Sequence, residues 1–195
     1  MPSRFDPALH KYYIDDMEIP GATTILAEAG LINRKYHNDF ARDRGKAVAM
    51  AIELWLHNDL DLSTVDSEVD LYLQDFIGFK MNSDFKPELS LVEKPLIHEL
   101  LRFGGIPDLP GFMNGEPCVI DIKTGAKESW HEIQTVFYSI LLRDVAGFMV
   151  KKRYALYLCG SGLVSHTNKN DEKVALSCLT IVQWKRREGI INANV

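Results

Sequence analysis

The sequence is short of cysteine, of positive charge and of long apolar runs, and each shortage excludes something. The three cysteines, Cys118, Cys159 and Cys178, are odd in number and show no Cys-x-x-Cys spacing, which argues against a disulfide framework or a zinc knuckle. They are expected to pack. No stretch approaches the roughly 18 uninterrupted apolar residues of a membrane span. Residues Met1-Pro2-Ser3-Arg4-Phe5-Asp6 lack the charged-then-apolar pattern of a secretory signal, so the expectation is a cytoplasmic protein. With 22 Lys+Arg against 27 Asp+Glu the net charge is −5, which argues against a general nucleic-acid coat protein. A hydrolase that holds divalent ions with carboxylates is still allowed, because bound cations reverse the local field. There is no internal repeat, low-complexity tract, linker, helix-turn-helix, zinc finger or His-x-x-x-His pair.

What remains is an ordinary globular composition, 46% hydrophobic and 25% charged over 195 residues, enough for one domain with a substantial core. Lys11–Ile14 and Met17–Ile19 flank Asp15-Asp16 as a short hairpin closed by Pro20-Gly21. Thr23 or Thr24 is placed to cap a helix through Ala29, with Gly30 as its stop. Apolar residues at helical spacing predict helices over Asp39–His57 and Val65–Met81. Leu89–Ile97, Leu101–Leu109 and Pro117–Lys123 read as strands, the last two joined by a turn over Pro110–Gly115. Trp130–Val145 reads as a helix, Lys152–Cys159 and Lys173–Ser177 as strands, Gly160–Asp171 as a polar loop and Cys178–Glu188 as a closing helix. The expected architecture is a single α/β domain over residues 1–195. A hairpin and helical cover spans 1–85, and a mixed central β-sheet flanked by helices spans 86–195.

The candidate chemistry centres on Gly104-Gly105-Ile106-Pro107-Asp108 and Val119-Ile120-Asp121-Ile122-Lys123-Thr124-Gly125. On a strand, Asp121 and Lys123 project to one face and Ile120 and Ile122 to the other. Asp108 reaches the same edge if the two strands pair. Two clustered carboxylates repel, and a hard divalent cation such as Mg²⁺ or Mn²⁺ relieves that repulsion. Such an ion with a lysine beside it suits phosphodiester hydrolysis. At ~25% charged residues one Asp-x-Lys triplet arises by chance about half the time. Asp84-Phe85-Lys86 and Asp171-Glu172-Lys173 lie in polar, turn-like surroundings and are expected to be solvated surface. Only Asp121-Ile122-Lys123 stands inside an apolar strand. Gln134 and Tyr138 share a helix face at i, i+4 and are placed to lie over that edge, Gln134 toward a phosphate or base. Glu93 is a further candidate acid. Trp130 either packs or stacks on an unpaired base. The runs Lys151-Lys152-Arg153 and Lys185-Arg186-Arg187 offer phosphate contacts or are solvated surface. The histidines, His57, His98 and His131 among them, are expected at the surface or satisfied in the core.

Taken together, Gly105-Ile106-Pro107-Asp108, Ile120-Asp121-Ile122-Lys123-Thr124-Gly125 and Gln134-Thr135-Val136-Phe137-Tyr138 resemble, in order, the motifs of the PD-(D/E)XK nuclease superfamily, in its RecB-like, phage-exonuclease and Cas4-like branch. His10-x-Tyr12 and Ile19-Pro20-Gly21-Ala22-Thr23 are similar to small phage members. The resemblance implies a restriction-endonuclease-like core and DNA as substrate. It implies Mg²⁺ or Mn²⁺ held by Asp108, Asp121 and the Ile122 carbonyl, with Lys123 catalytic. The sequence departs from it at Ala49, which follows Arg44-Gly45-Lys46-Ala47-Val48 where that branch carries a metal-binding histidine. Three readings follow: fewer protein ligands, replacement by Glu53 one turn on, or a residue changed to trap an inactive enzyme. The leading expectation is a metal-dependent DNA exonuclease of phage or recombination-repair type. An endonuclease on the same fold and a non-catalytic DNA-binding module are the alternatives.

Overall fold

The structure, a computed structural model, describes residues 2–32 and 39–191. A three-stranded antiparallel sheet comes first, β1 (Ser3–Asp6), β2 (Lys11–Ile14) and β3 (Met17–Ile19). The last two are the expected hairpin. Helix α1 (Ala22–Ala29) follows, capped by Gly21 without a side-chain bond and not by either threonine. It ends, as expected, at Gly30 in the left-handed conformation.

Helices α2 (Asp39–Leu56) and α3 (Ser67–Asn82) lie within a turn of their expected bounds. The strand expected over Leu89–Ile97 is mostly turn, and only β5 (Leu96–His98) at its end is extended, paired with β6 (Phe103–Gly105). The strand expected over Leu101–Leu109 is therefore divided between β6 and the start of β7 (Leu109–Met113). Pro110 lies inside β7, and the turn into β8 (Glu116–Lys123) is Asn114-Gly115 alone, both at positive φ. That is the Asn-Gly chemistry of a tight hairpin.

Helix α4 (Trp130–Asp144) carries the chain over to β9 (Lys152–Tyr157), parallel to β8. The polar stretch after it contains β10 (Gly162–His166), an antiparallel edge strand; a strand with one neighbour buries little and can be polar. Lys173–Ser177 is not a strand but the first turns of α5 (Asp171–Arg187). Its buried apolar residues Ala175, Cys178, Leu179 and Val182 repeat at helical spacing, while Val174 and Leu176 are exposed.

The central sheet runs β10-β9-β8-β7-β4, where β4 is Lys86–Pro87, and is mixed, with α1, α4 and α5 on one face and α2 and α3 on the other. Along β8, Cys118 and Ile120 enter the α2/α3 layer and Val119 the α4 layer, the period-2 alternation of a strand buried on both faces. Gly104 stands where nothing larger fits, and Gly105 where a side chain would have to displace a neighbour. A Cβ at Gly104 would strike the Tyr12 ring, and one at Gly105 would stand 2.8 Å from Leu141 Cδ1. Cys118 and Cys178 pack as expected, but Cys159 is exposed. No helix among the described residues is long and apolar enough to cross a membrane.

Candidate active site

The C-terminal end of β8 opens into a cleft of about 570 Å³. Because 119, 121 and 123 share one face of β8, Asp121 and Lys123 extend the line begun by Val119, out of the core and under α4. Lys123 Nζ lies 2.6 Å from Asp121 Oδ2 and donates to Gln134 Oε1 at 2.7 Å. An ammonium can only donate, so the Gln134 carbonyl must face it. The Gln134 amide nitrogen then donates to Tyr138 Oη at 2.8 Å and reaches Thr23 Oγ1 at 3.4 Å. The Trp130 ring completes the lysine's surroundings at 5.2 Å.

Asp108 lies between β6 and β7, not on the earlier strand, and its Oδ2 accepts the Ile122 N–H at 2.6 Å. This fixes its carboxylate beside Asp121. Glu93 stands in the turn before β5 at positive φ and lines the same cleft. Its backbone N–H is given to the Asp108 carbonyl at 3.3 Å. Glu93, the further candidate acid, lines the cleft; Glu53 on α2, the residue considered as a replacement for a ligand at 49, is not among the lining residues and acts there through its charge on Glu93. Ala49 itself lines the cleft, so α2 places a methyl group in its wall.

Burial and mutual repulsion set the charges. Glu93 is pushed up to about 9, by desolvation first and then by Asp108, Glu53 and Asp121. Asp108 is raised by burial and by Asp121, and Asp121 by burial, with Lys123 opposing the rise in both. Glu93 Oε1 and Asp121 Oδ2 have no hydrogen-bond partner among the described residues, although Lys123 faces the latter as an ion-pair partner. Clustered buried carboxylates, with Glu93 Oε1 lacking any partner among the described residues, are the donor type a hard divalent cation takes, and in this sense Asp108, Asp121 and Glu93 fit one. Among the described residues no three His, Cys, Asp or Glu groups already converge at ligating distances.

Two residues of the site stand in segments the sequence singled out but had no role assigned to them. Arg44 donates to the Thr124 carbonyl at 3.0 Å and to Glu68 at 3.2 Å, tying the loop after β8 to α2 and α3. Thr23 braces Gln134 from α1. The Arg44–Thr124 and Thr23–Gln134 contacts join residues 80 and 111 apart in the chain. His131 is a satisfied core histidine as expected. Its Nδ1 takes the Glu128 N–H and the Tyr157 hydroxyl, and burial lowers it to about 3. His98 is likewise paired, with Asp144 at 3.3 Å.

One basic run lies exposed and away from the cleft, and one expectation fails on placement. Lys151 and Lys152 are far from the cleft: Lys152 is opposite Cys118 in the parallel register and Tyr157 is opposite Lys123, which puts Lys152 roughly 16 Å back along the sheet. Asp171 is not solvated surface but buried, paired with Arg153 at 2.8 Å. Asp84 and Lys86 are exposed, as expected.

No protein-family model matches the chain, and no curated protein matches it. Among solved structures it is similar to a protein of Eubacterium rectale provisionally named an exonuclease, at 10% identity and a TM-score of 0.44, over 76% of this chain and 69% of that one.

Proposed function

We propose that the protein is a divalent-metal-dependent nuclease of the PD-(D/E)XK type, a DNA exonuclease using Mg²⁺ or Mn²⁺. The observation that carries this is the Lys123 ammonium, held between the Asp121 carboxylate and the Gln134 carbonyl in an open cleft beside Asp108. A lysine needed only for structure has no reason to be held at a cavity wall by a carboxylate and an amide carbonyl with the Trp130 ring beside it.

In this reading Asp108, Asp121 and the Ile122 carbonyl hold the cation, with Glu93 behind them. When bound, the cation neutralises phosphate charge and acidifies the attacking water. Hydrolysis forms one bond from water oxygen to phosphorus and breaks one ester P–O bond; the proton lost by water balances the one gained by the leaving alkoxide. Lys123 faces the charge that grows on the phosphate oxygens, and its position is kept by Gln134, itself oriented by Tyr138 and Thr23. Arg42 and Lys46, exposed on α2 at the cleft wall, meet the DNA backbone, and Trp130 is available to stack on a base.

Ala49 favours a second reading, a DNA-binding module that has lost catalysis. End-labelled linear DNA and a closed circle, incubated with Mn²⁺ and then with EDTA, separate the possibilities. The expected result is metal-dependent loss of label from linear DNA only, a gain in Ala49→His and a loss of roughly 10²–10⁴-fold in Lys123→Ala. Cutting of the closed circle would make the enzyme an endonuclease. If Ala49→His leaves every substrate intact while DNA binds equally with and without metal, the binding-module reading replaces the enzyme.

A further inference from the structure

Strands β1, β2 and β3 form a small sheet of their own, and the proposed hydrolysis leaves it without a task. It is nevertheless tied to β6, the strand that runs up to Asp108. Gly21 bridges Gly104 in parallel, and the Gly104 N–H donates to the Pro20 carbonyl at 3.0 Å. Tyr12, on the middle strand, is 3% exposed and lies across this junction. A Cβ at Gly21 would stand 3.0 Å from Tyr12 Cε2 and one at Gly104 would strike the ring, so both glycines are in contact with it. Phe5 and His10 close on the ring from its own sheet, with centroids 5.0 and 6.0 Å away. A ring enclosed in this way holds its hydroxyl at one place. We propose that Tyr12 is a further residue of the active site, its phenol donating a hydrogen bond to a non-bridging oxygen of the substrate phosphate. This rests on the nuclease reading above.

The hydroxyl is the part of Tyr12 that the fold does not use. Tyr12 lines the cleft, and its hydroxyl makes no hydrogen bond among the described residues. Nor is that oxygen sealed off from solvent as Glu93 Oε1 and Asp121 Oδ2 are. A buried tyrosine hydroxyl usually finds a partner within the protein, so one left unpaired at a cleft wall is free for a ligand. Burial first, and then the charge of Glu93, push it above the usual range of a phenol, so it stays protonated and can donate.

Tyr138 is its counterpart across β6. A Cβ at Gly105 would stand 3.3 Å from Tyr138 Cε1, so the neighbouring glycines 104 and 105 each make room for one tyrosine. Tyr138 Oη accepts from the Gln134 amide, and its own proton has no acceptor among the described residues. Two phenolic protons therefore face a cleft whose acids, Asp108, Asp121 and Glu93, offer oxygens to a cation. A phosphate drawn to that cation and to Lys123 brings the acceptor oxygens these protons lack. A neutral phenol also donates without opposing the cation, which a second ammonium at this place would do.

Tyr12→Phe removes the hydroxyl and keeps the ring. Because that hydroxyl bonds nothing within the protein, a purely structural role predicts no effect, and the thermal midpoint is expected to match the parent's. Cleavage of end-labelled single-stranded oligothymidylate with Mn²⁺ is expected to fall roughly tenfold or more in kcat/KM, with the same ratio on oligodeoxyadenylate, since the contact is to phosphate. Contact with a phosphate does not require cutting, so affinity for the same strands is read by fluorescence anisotropy with Ca²⁺ in place of Mn²⁺, and it should fall by a similar factor. If the parent cuts nothing but Tyr12→Phe still weakens binding, the nuclease reading falls and the contact stands. Equal cutting and equal binding in parent and Tyr12→Phe overturn the proposal and leave the nuclease reading intact. A ratio confined to one base overturns it too, as does a lowered thermal midpoint, which would put the partner of the hydroxyl inside the fold. A parent that neither cuts nor binds overturns both.

Discussion

The two faces of the central sheet are built from one strand but do different work. On the α2/α3 face, β8 contributes Cys118 and Ile120 to a layer with Val48, Leu73, Phe76 and Leu109, and every buried side chain there is apolar. On the α4 face the same strand contributes Val119 and then Asp121, and the buried set includes His131, Gln134, Thr135, His166 and Asp171. The first face holds the fold together by removing apolar area from water. The second carries desolvated polar groups that cost stability unless each is paired. The desolvated polar groups of the candidate site are concentrated in the α4 layer, while α2, whose buried face belongs to the apolar layer, also closes the cleft wall through Arg42, Lys46 and Ala49.

Substitutions on each face sharpen the contrast. Ile120→Ala, on the apolar face and fully buried, is expected to cost about 2–5 kcal/mol in urea unfolding while leaving cation affinity of the folded protein unchanged. A loss of metal affinity as large as that of Asp121→Asn would mean the faces are not separable. Across the strand, Glu93→Gln is expected to act in the opposite direction. The Glu93 carboxyl is raised from 4.5 to about 9, so between those values the folded chain keeps a proton that the unfolded chain has released. Stability must therefore fall as pH rises through that window, and the glutamine variant should flatten the fall. Urea midpoints at pH 5, 7 and 9 without metal measure it, and an unchanged slope refutes the assignment. The smallest effect is expected at Asp66, which caps α3 by accepting the Glu68 N–H at 2.8 Å. Asp66→Ala should cost about 1 kcal/mol and leave the cleft unaffected, as read by thermal unfolding and by metal titration.

Much of the candidate site was legible because it rests on short-range geometry. Two residues apart on a strand put Asp121 and Lys123 on one face, and four apart on a helix put Gln134 and Tyr138 together; the chain needs no partner for either. What misled was local pattern without knowledge of exposure. Lys173–Ser177 reads as a strand but opens a helix on which Val174 and Leu176 are exposed, and Asp171 looked solvated but closes on Arg153, 18 residues away.

The sequence alone determined which side chains share a face, where the helices of the cover run and which triplet stands in an apolar strand, since backbone periodicity sets all three. Tertiary structure alone decided that Thr23 and Arg44 brace the site, that Gly104 must clear Tyr12, and that Lys151 and Lys152 lie far from the cleft. Those outcomes depend on the parallel β8/β9 register and on packing between distant segments, and no local spacing encodes them.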